Sequence, residues 1–349
     1  CRSRTTVCNA MTERPGYQQP QAEHPFAPYV RMLGKGRSGT RSLSTAEAAE
    51  AFGMVLRGDA EPMQIGAFLM LLRVKEETGE ELAGFVNACR EQMLCRPAGL
   101  VADLDWSSYA GKRSQHPWFI LSVLLLAQSG HRVFIHGSDG HTEGRLYTEA
   151  AFRQLGLPVA DDWQQVASML AGQSLCYLPL RRFCPQLDEL MQLKPLLGLR
   201  SPVNTLARML NPLRAPCSIQ SVFHPAYGAL HQQADQLLGQ PRALVFKGDS
   251  GEVEIKPQAD TRLLLLREGR REEVFLPRAL AERVASVGAP ATMPLLELWR
   301  GTTEDIYGTE AVIATTAAAL LLLDNDLDPT GARLRATRLW KARDRSRLD

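Results

Sequence analysis

The stretch Ser44–Phe85, "STAEAAEAFGMVLRGDAEPMQIGAFLMLLRVKEETGEELAGF", has the pattern of consecutive short helices. Ser44 followed three residues later by Glu47 is a capping box, which marks the start of a helix. Gly58 is a fitting end for that helix, and Pro62 suits the first turn of the next one. Apolar residues then recur at helical spacing along the second helix. The stretch therefore predicts a small helical domain, which we place at residues 28–97.

A small helical bundle buries one apolar face internally and can keep a second apolar face. That second face either contacts the rest of the same chain or joins two copies of the chain. We therefore expect the helical domain to be a dimerisation domain, with packing inside one chain as the alternative. Later segments of the chain could also contribute helices to this part of the molecule.

From about residue 100, short apolar runs alternate with helical patterns. The runs are "HRVFIHG", "SLCYLPL", "CSIQSVFHP", "ALVFKG" and "TRLLLLREG". Such alternation predicts an α/β domain, expected over residues 98–332. The run "ATTAAALLLLDNDL" is shorter than the roughly 18–20 apolar residues of a membrane span. It fits a core helix, and no membrane partner is expected.

The composition suits a large protein core and says little about partners. The chain has 349 residues, 45% of them hydrophobic, and a net charge of +2. Seven of its 40 basic residues are lysines, and arginine suits bidentate phosphate contact, although arginine-rich codon usage would give the same bias. The seven cysteines show no CxxC spacing, which favours reduced cytoplasmic thiols over a metal site.

Both ends of the chain are polar. Residues 1–27 are Pro- and Gln-rich and begin with Cys1, and we expect a disordered extension whose natural start could be Met11. From Arg333 to Asp349 the tail holds seven Lys or Arg residues against two Asp residues. The tail either extends a nucleic-acid surface or is a solvated or disordered end.

Met32–Phe85 resembles the helical domain of anthranilate phosphoribosyltransferases, in glycosyltransferase family 3. The resemblance continues through "HRVFIHG", "LGLRSPVNTLARMLNP" and "HPAYGALHQQADQLLGQPRALVFKGDSGEVE". It implies a helical domain plus a larger α/β domain with a central mixed sheet, as in pyrimidine nucleoside phosphorylases. It also implies a homodimer, and an activity in which Mg²⁺ and phosphoribosyl diphosphate serve ribosyl transfer to an aromatic amine.

The segments that would hold this substrate are degenerate. The family's glycine-rich diphosphate loop is "YAGKRSQ" here, where Gly111 alone remains recognisable, and Lys112 and Arg113 follow it. His136-Gly137 and Asn204 survive from two further motifs, while His141 and Arg145 either contact an anion or lie in a solvated loop. The Asp-Glu pair that would hold metal is shifted, since Val253 stands at the aspartate position. Asp249, Glu252 and Glu254 lie near this position, in either a displaced carboxylate site or a polar turn before a strand "VEIKP".

Basic residues have gathered in the same segments, and the pattern looks like the YbiB-type branch of the family. That resemblance implies a DNA-binding homodimer with little or no transferase activity. We expect non-specific phosphate contacts in basic grooves, to single- or double-stranded DNA or to RNA. The predicted contacts are Lys112, Arg113, Arg181, Arg182, Lys194, Arg200, Arg208 and Arg214.

Two further hypotheses remain open. The aromatic residues Tyr109, Trp118 and Phe183 either stack on bases or pack in the core. An active transferase with an altered substrate is the alternative function, and it alone requires Mg²⁺ and phosphoribosyl diphosphate. If the protein is not an active transferase, we expect no catalytic residue, metal or cofactor.

Overall fold

The computed structural model describes residues 22–36, 38–94, 98–140 and 142–348. Its first part is helical, as predicted. The Ser44–Glu47 capping box is present, and Gly58 ends that helix in the left-handed conformation. The helices are α1 (Ala27–Gly34), α2 (Thr45–Arg57), α3 (Pro62–Lys75) and α4 (Gly79–Gln92).

Seven strands form one mixed sheet in the order β3-β2-β1-β4-β5-β6-β7. The first five strands are parallel, and β6 and β7 continue the sheet in antiparallel pairs. The order reverses between β1 and β4, and loops at such a switch point commonly form ligand sites. The strands are β1 (Leu104–Ser108), β2 (Val133–Gly137), β3 (Leu175–Pro179), β4 (Cys217–Val222), β5 (Arg242–Lys247), β6 (Thr261–Arg267) and β7 (Arg270–Leu276).

Helices cover both faces of the sheet, so each strand alternates between two cores. In β2, Val133 and Ile135 pack in the core formed with helices α5 (Phe119–Gln128) and α13 (Ile306–Leu323), whereas Phe134 packs in the core shared with the helical domain. The remaining helices are α5 (Phe119–Gln128), α6 (Thr148–Gln154), α7 (Trp163–Gln173), α8 (Pro185–Met191), α9 (Lys194–Leu197), α10 (Val203–Leu206), α11 (Tyr227–Leu237), α12 (Met293–Arg300), α13 (Ile306–Leu323) and α14 (Pro329–Lys341).

The helical part is completed by later chain segments. Leu187 of α8 and Leu206 of α10 belong to the same core as Phe52 and Phe85. Helix α4 also packs against α11. The space between the helical and α/β parts is therefore bounded by helices from both.

Helix α13 has the length and hydropathy of a membrane span, with a mean hydropathy of 1.7 over 18 residues. It is 78% buried inside the protein, where it packs against α5 and α14. This burial is that of a core helix, as the sequence predicts.

The ends of the described chain differ from expectation. Residues 1–27 were expected to be disordered, and residues 1–21 of this segment lie outside the described residues. The expectation is wrong for the end of the segment, because Phe26 is buried and its ring centroid lies 5.3 Å from that of Phe68.

The C-terminal tail is ordered, so the expectation of a disordered end is wrong. Helix α14 places Trp340 against Trp299, with ring centroids 6.1 Å apart. The Arg343 guanidinium lies 3.7 Å from the centroid of Trp340 and donates to the carbonyl of Trp299 at 2.9 Å. Arg335 pairs with Asp324 at 2.9 Å. These cations hold the tail on the core.

Candidate functional site

The loop after β1 has the backbone of an anion-binding turn. Gly111 has φ +67°, and a Cβ there would lie 2.9 Å from the Tyr147 ring. A side chain is therefore excluded by both conformation and space. The amide groups of Ala110 and Gly111 point the same way, since both donate to one carboxylate oxygen.

That carboxylate belongs to Glu252 of the same chain. Its Oε1 accepts from Ala110 N at 2.6 Å and Gly111 N at 2.5 Å, and its Oε2 accepts from Ser108 Oγ at 2.7 Å. Glu252 is 1% exposed. An internal anion thus occupies the donors that would cradle a diphosphate, and we call this arrangement the sealed loop.

Lys112 pairs with carboxylates of the same chain and does not face a ligand. It is fully buried, and its ammonium pairs with Asp249 and with Glu254. Glu254 also accepts from Phe119 N at the start of α5, at 2.9 Å. Burial acts to lower the pKa of Lys112, but Glu254 and Asp249 more than offset it and raise this pKa above its ordinary value. The prediction that Lys112 contacts nucleic acid is wrong, because water and ligands do not reach it.

The segment 249–254 is not a polar turn before a strand. Asp249–Gly251 is a short 3₁₀ turn, and residues 253–257 form no strand. Its three carboxylates are buried, and the Lys112 ammonium pairs with two of them, Asp249 and Glu254. Within the described ranges no group of three or more His, Cys, Asp or Glu side chains is arranged to bind a metal. These residues do not fit Mg²⁺ and a diphosphate.

The other surviving loop residues have structural roles. The buried His136 places Nδ1 2.6 Å from the hydroxyl of Tyr109 and Nε2 3.3 Å from the carboxylate of Asp105. Gly137 passes so close to β1 that a Cβ would collide with the carbonyl of Ser108. Asn204 lies on α10, beside Arg200 and Arg208. His141 lies outside the described residues.

Four arginines surround the outer side of the sealed loop, and we call Arg113, Arg145, Arg200 and Arg208 the arginine cluster. Burial lowers the pKa of Arg208, and its neighbours Arg200 and Arg145 lower it further. Burial also lowers the pKa of Arg145, with Arg200 and Arg113 adding to the effect. Glu252 acts in the opposite direction on both pKa values. Like charges therefore converge here around one internal carboxylate, and a further anion would relieve their remaining repulsion.

Two members of the arginine cluster are fixed and two are exposed. Arg145 donates to the carbonyls of Ala110 and Gly111, both at 2.8 Å. Arg208, 9% exposed, donates to the carbonyl of Gly251 at 2.9 Å. Arg113 and Arg200 are exposed and have no ion-pair partner in the described part of the chain.

The other residues predicted to contact nucleic acid do not lie in the arginine cluster. Arg181 pairs with Glu149 at 2.7 Å and Arg182 with Asp161 at 2.8 Å. Lys194 is exposed at the start of α9. Arg214 is exposed and lies near Arg90, whose pKa is lowered by burial and then by the charge of Arg214. The structure thus brings together three of the eight predicted residues and adds Arg145.

The aromatic residues proposed for base stacking are core residues. Tyr109 is 7% exposed, and Trp118 and Phe183 are fully buried, so the packing alternative is confirmed. Sequence reasoning missed Phe223, which is 54% exposed directly after β4. Its only sequence signal is an aromatic residue in "SVFHP" at the carboxyl end of a strand.

Comparisons with known proteins agree with this architecture. Residues 28–93 match the model of the glycosyl transferase family helical bundle domain, and residues 121–337 match that of the glycosyl transferase family a/b domain. The chain belongs to this glycosyl transferase family. The helical domain, the mixed sheet and the resemblance to anthranilate phosphoribosyltransferases predicted from the sequence are confirmed.

Relatives within the glycosyl transferase family include a YbiB protein and transferases. The chain is 30% identical over 249 residues to the uncharacterized protein YbiB of Escherichia coli, covering 69% of this chain and 77% of YbiB. It is 28% identical over 324 residues to anthranilate phosphoribosyltransferase of Moorella thermoacetica, covering 85% and 94%. The likeness to a YbiB-type protein is confirmed.

Solved structures share the fold. Anthranilate phosphoribosyltransferase from Thermus thermophilus has a TM-score of 0.75 at 19% identity, covering 89% of this chain and 94% of that one. The enzyme from Saccharomyces cerevisiae in complex with phosphoribosyl diphosphate and Mg has a TM-score of 0.70 at 16% identity, covering 90% and 96%.

Proposed function

We propose that this protein binds nucleic acid without sequence preference, through phosphate contacts at the arginine cluster. The observation that carries the proposal is the convergence of four guanidinium groups on the rim of a loop whose own donors are occupied. Arginine at a phosphate releases counterions and gives affinity without base recognition.

Ribosyl transfer is the second candidate, and the names of the transferase relatives favour it. The chemistry would require backbone donors and metal-binding carboxylates for the departing diphosphate. In this chain Glu252 accepts from those donors, and Lys112 pairs with Asp249 and Glu254. These contacts argue against efficient transfer.

We further propose that the protein is a homodimer that contacts through its helical part. Helix α3 carries apolar residues beyond its buried face, with Met63 68% and Val74 82% exposed. Two copies would present two arginine clusters to one polymer and raise the avidity of binding. Sedimentation equilibrium measures the mass, and a monomer at all concentrations would contradict this part of the proposal.

Fluorescence anisotropy of a labelled oligonucleotide tests the function. We expect affinity to fall steeply with salt and to be independent of Mg²⁺. Affinity for duplex DNA falls with salt, and each lost phosphate contact makes the plot of log affinity against log salt less steep by about 0.9. The double variant Arg113→Ala, Arg200→Ala therefore reduces the steepness by about 1.8 if both residues contact phosphate.

A matched control removes two cations elsewhere. Arg57 and Arg262 pair with Asp59 and Glu273. The double variant Arg57→Ala, Arg262→Ala keeps the affinity and salt slope of the wild type if the arginine cluster is the site. Absence of binding at low salt would overturn the proposal, and equal losses in both double variants would overturn the site assignment.

A further inference from the structure

A pocket of about 160 Å³ opens beside the arginine cluster, between the helical and α/β parts of the molecule. Its walls come from the end of α3, from α10 and from the connection between β4 and α11. It is smaller than the roughly 300–1,000 Å³ of pockets for drug-sized ligands. The pocket therefore suits a single ring system.

One buried atom in the pocket wall lacks a hydrogen-bond partner. Glu77 is 7% exposed, and its Oε1 accepts from Thr205 Oγ1 at 2.9 Å. Its Oε2 is buried and has no partner within the described residues. Burial raises the pKa of Glu77, so the pocket wall holds a carboxyl group that gives up its proton less readily than a glutamate on the surface.

A second hydrogen-bonding atom is provided by His231, which is 1% exposed and lines the same pocket. The Gln220 amide nitrogen donates to both carboxylate oxygens of Asp235 at 3.1 Å, so the amide oxygen faces His231 Nδ1 at 2.7 Å. Nδ1 therefore carries the proton, and Nε2 keeps its lone pair. Burial, together with Arg208, lowers the pKa of His231 to about 3, so the ring is neutral at pH 7.

The pocket also has an aromatic wall. Phe223 is 54% exposed. Tyr227 is fixed by a hydrogen bond that Arg73 Nη1 donates to its hydroxyl at 3.2 Å. Exposed aromatic rings beside cations are the usual platform for single-stranded nucleic acid. Arg200 and Arg208 of the arginine cluster line this pocket as well.

We propose that the pocket binds one unstacked nucleobase whose phosphate lies on Arg200 and Arg208. The base stacks against Phe223, and one of its N–H groups donates to His231 Nε2. The inference rests on the proposed function and adds a base-binding component to it. The same chemistry is offered by a nucleotide within a strand and by a nucleoside monophosphate in solution.

Two labelled single-stranded oligomers of equal length separate base binding from phosphate binding, one of normal nucleotides and one of abasic residues. We expect the abasic oligomer to bind at least about fivefold more weakly, as expected for loss of one stacked base. Phe223→Ala lowers the affinity for the normal oligomer to that for the abasic one and leaves the abasic affinity unchanged, which also shows that the variant is folded.

The control variant is Phe275→Ala, since Phe275 is a 61% exposed aromatic on β7, outside the pocket. It binds both oligomers as the wild type does. Equal affinity of the wild type for the two oligomers would overturn the inference and leave the proposed function standing, whereas binding of neither oligomer would overturn both.

Calorimetry with AMP distinguishes the two sources of the base. Binding of one AMP per chain that Phe223→Ala abolishes supports a pocket for the nucleotide in solution. Absence of AMP binding, together with discrimination between the oligomers, supports a pocket for a base within a strand.

Discussion

The sealed loop and the arginine cluster are neighbours with opposite electrostatics. In the sealed loop the backbone amides of Ala110 and Gly111 are paired with Glu252, and Lys112 is paired with two carboxylates. On the outer side, Arg208 donates to the carbonyl of Gly251, the residue next to Glu252. The comparison shows how one loop can pair its inner donors with the chain's own carboxylate while arginines gather on its outer side.

The largest expected effect is on the sealed loop. Lys112→Met leaves Asp249 and Glu254 buried without their cation, which costs about 3–5 kcal/mol of unfolding free energy. Arg113→Met, one residue away and exposed, changes it by less than about 0.5 kcal/mol. Urea denaturation measures both. Equal stability of the two variants would mean that Lys112 is not an internal counterion.

A pH effect is expected at Asp235, beneath the pocket beside the arginine cluster. Burial raises the pKa of Asp235 from 3.8 to about 7, so the folded state holds this proton more tightly than the unfolded state. The stability from this group is complete below pH 3.8 and is lost as the pH rises towards 7. Relative to Asp235→Asn, wild-type unfolding free energy should fall by about 1.4 kcal/mol per pH unit between pH 5 and 7. A constant difference between the two proteins over that range would contradict the assignment.

Removing Glu252 tests whether that carboxylate closes the loop. Glu252→Ala leaves the donors of Ala110 and Gly111 unpaired, which costs about 1–3 kcal/mol. Inorganic phosphate should then raise the melting temperature of this variant, because binding to the folded state stabilises it. The wild type and the control Glu252→Gln, which keeps an acceptor oxygen, should show only the smaller rise that phosphate at the arginine cluster gives. An equal rise in the wild type and in Glu252→Ala would show that the wild-type loop is open.

The smallest effect is expected in the arginine cluster itself. Arg200→Ala relieves repulsion on Arg145 and Arg208 and should raise the unfolding free energy by less than about 1 kcal/mol, while it weakens oligonucleotide binding. Chemical denaturation at low salt measures the gain, and Arg57→Ala is the control. A loss of stability would mean that Arg200 has a structural role instead.

Local patterns made most of the fold predictable. The cap at Ser44, the glycine at Gly58 and the proline at Pro62 act within a few residues, so these helix boundaries could be predicted. Strand β7, "RREEVFL", could not, since it is largely exposed and is specified by pairing with β6.

The state of the site depended on distant contacts. Ala110 meets Glu252 across 142 positions of sequence and Lys112 meets Asp249 across 137. No local pattern shows that Lys112 is buried while Arg113 is exposed. The sequence indicated a degenerate phosphate loop, but only the fold shows what closes it.

The most direct test is calorimetry of one protein sample with two ligands. Phosphoribosyl diphosphate is titrated in the presence of Mg²⁺, and a single-stranded oligonucleotide is titrated with and without Mg²⁺. A sealed loop beside an open arginine cluster predicts heat from the oligonucleotide alone, unchanged by Mg²⁺ and reduced by salt. Saturable, Mg²⁺-dependent binding of phosphoribosyl diphosphate would contradict it.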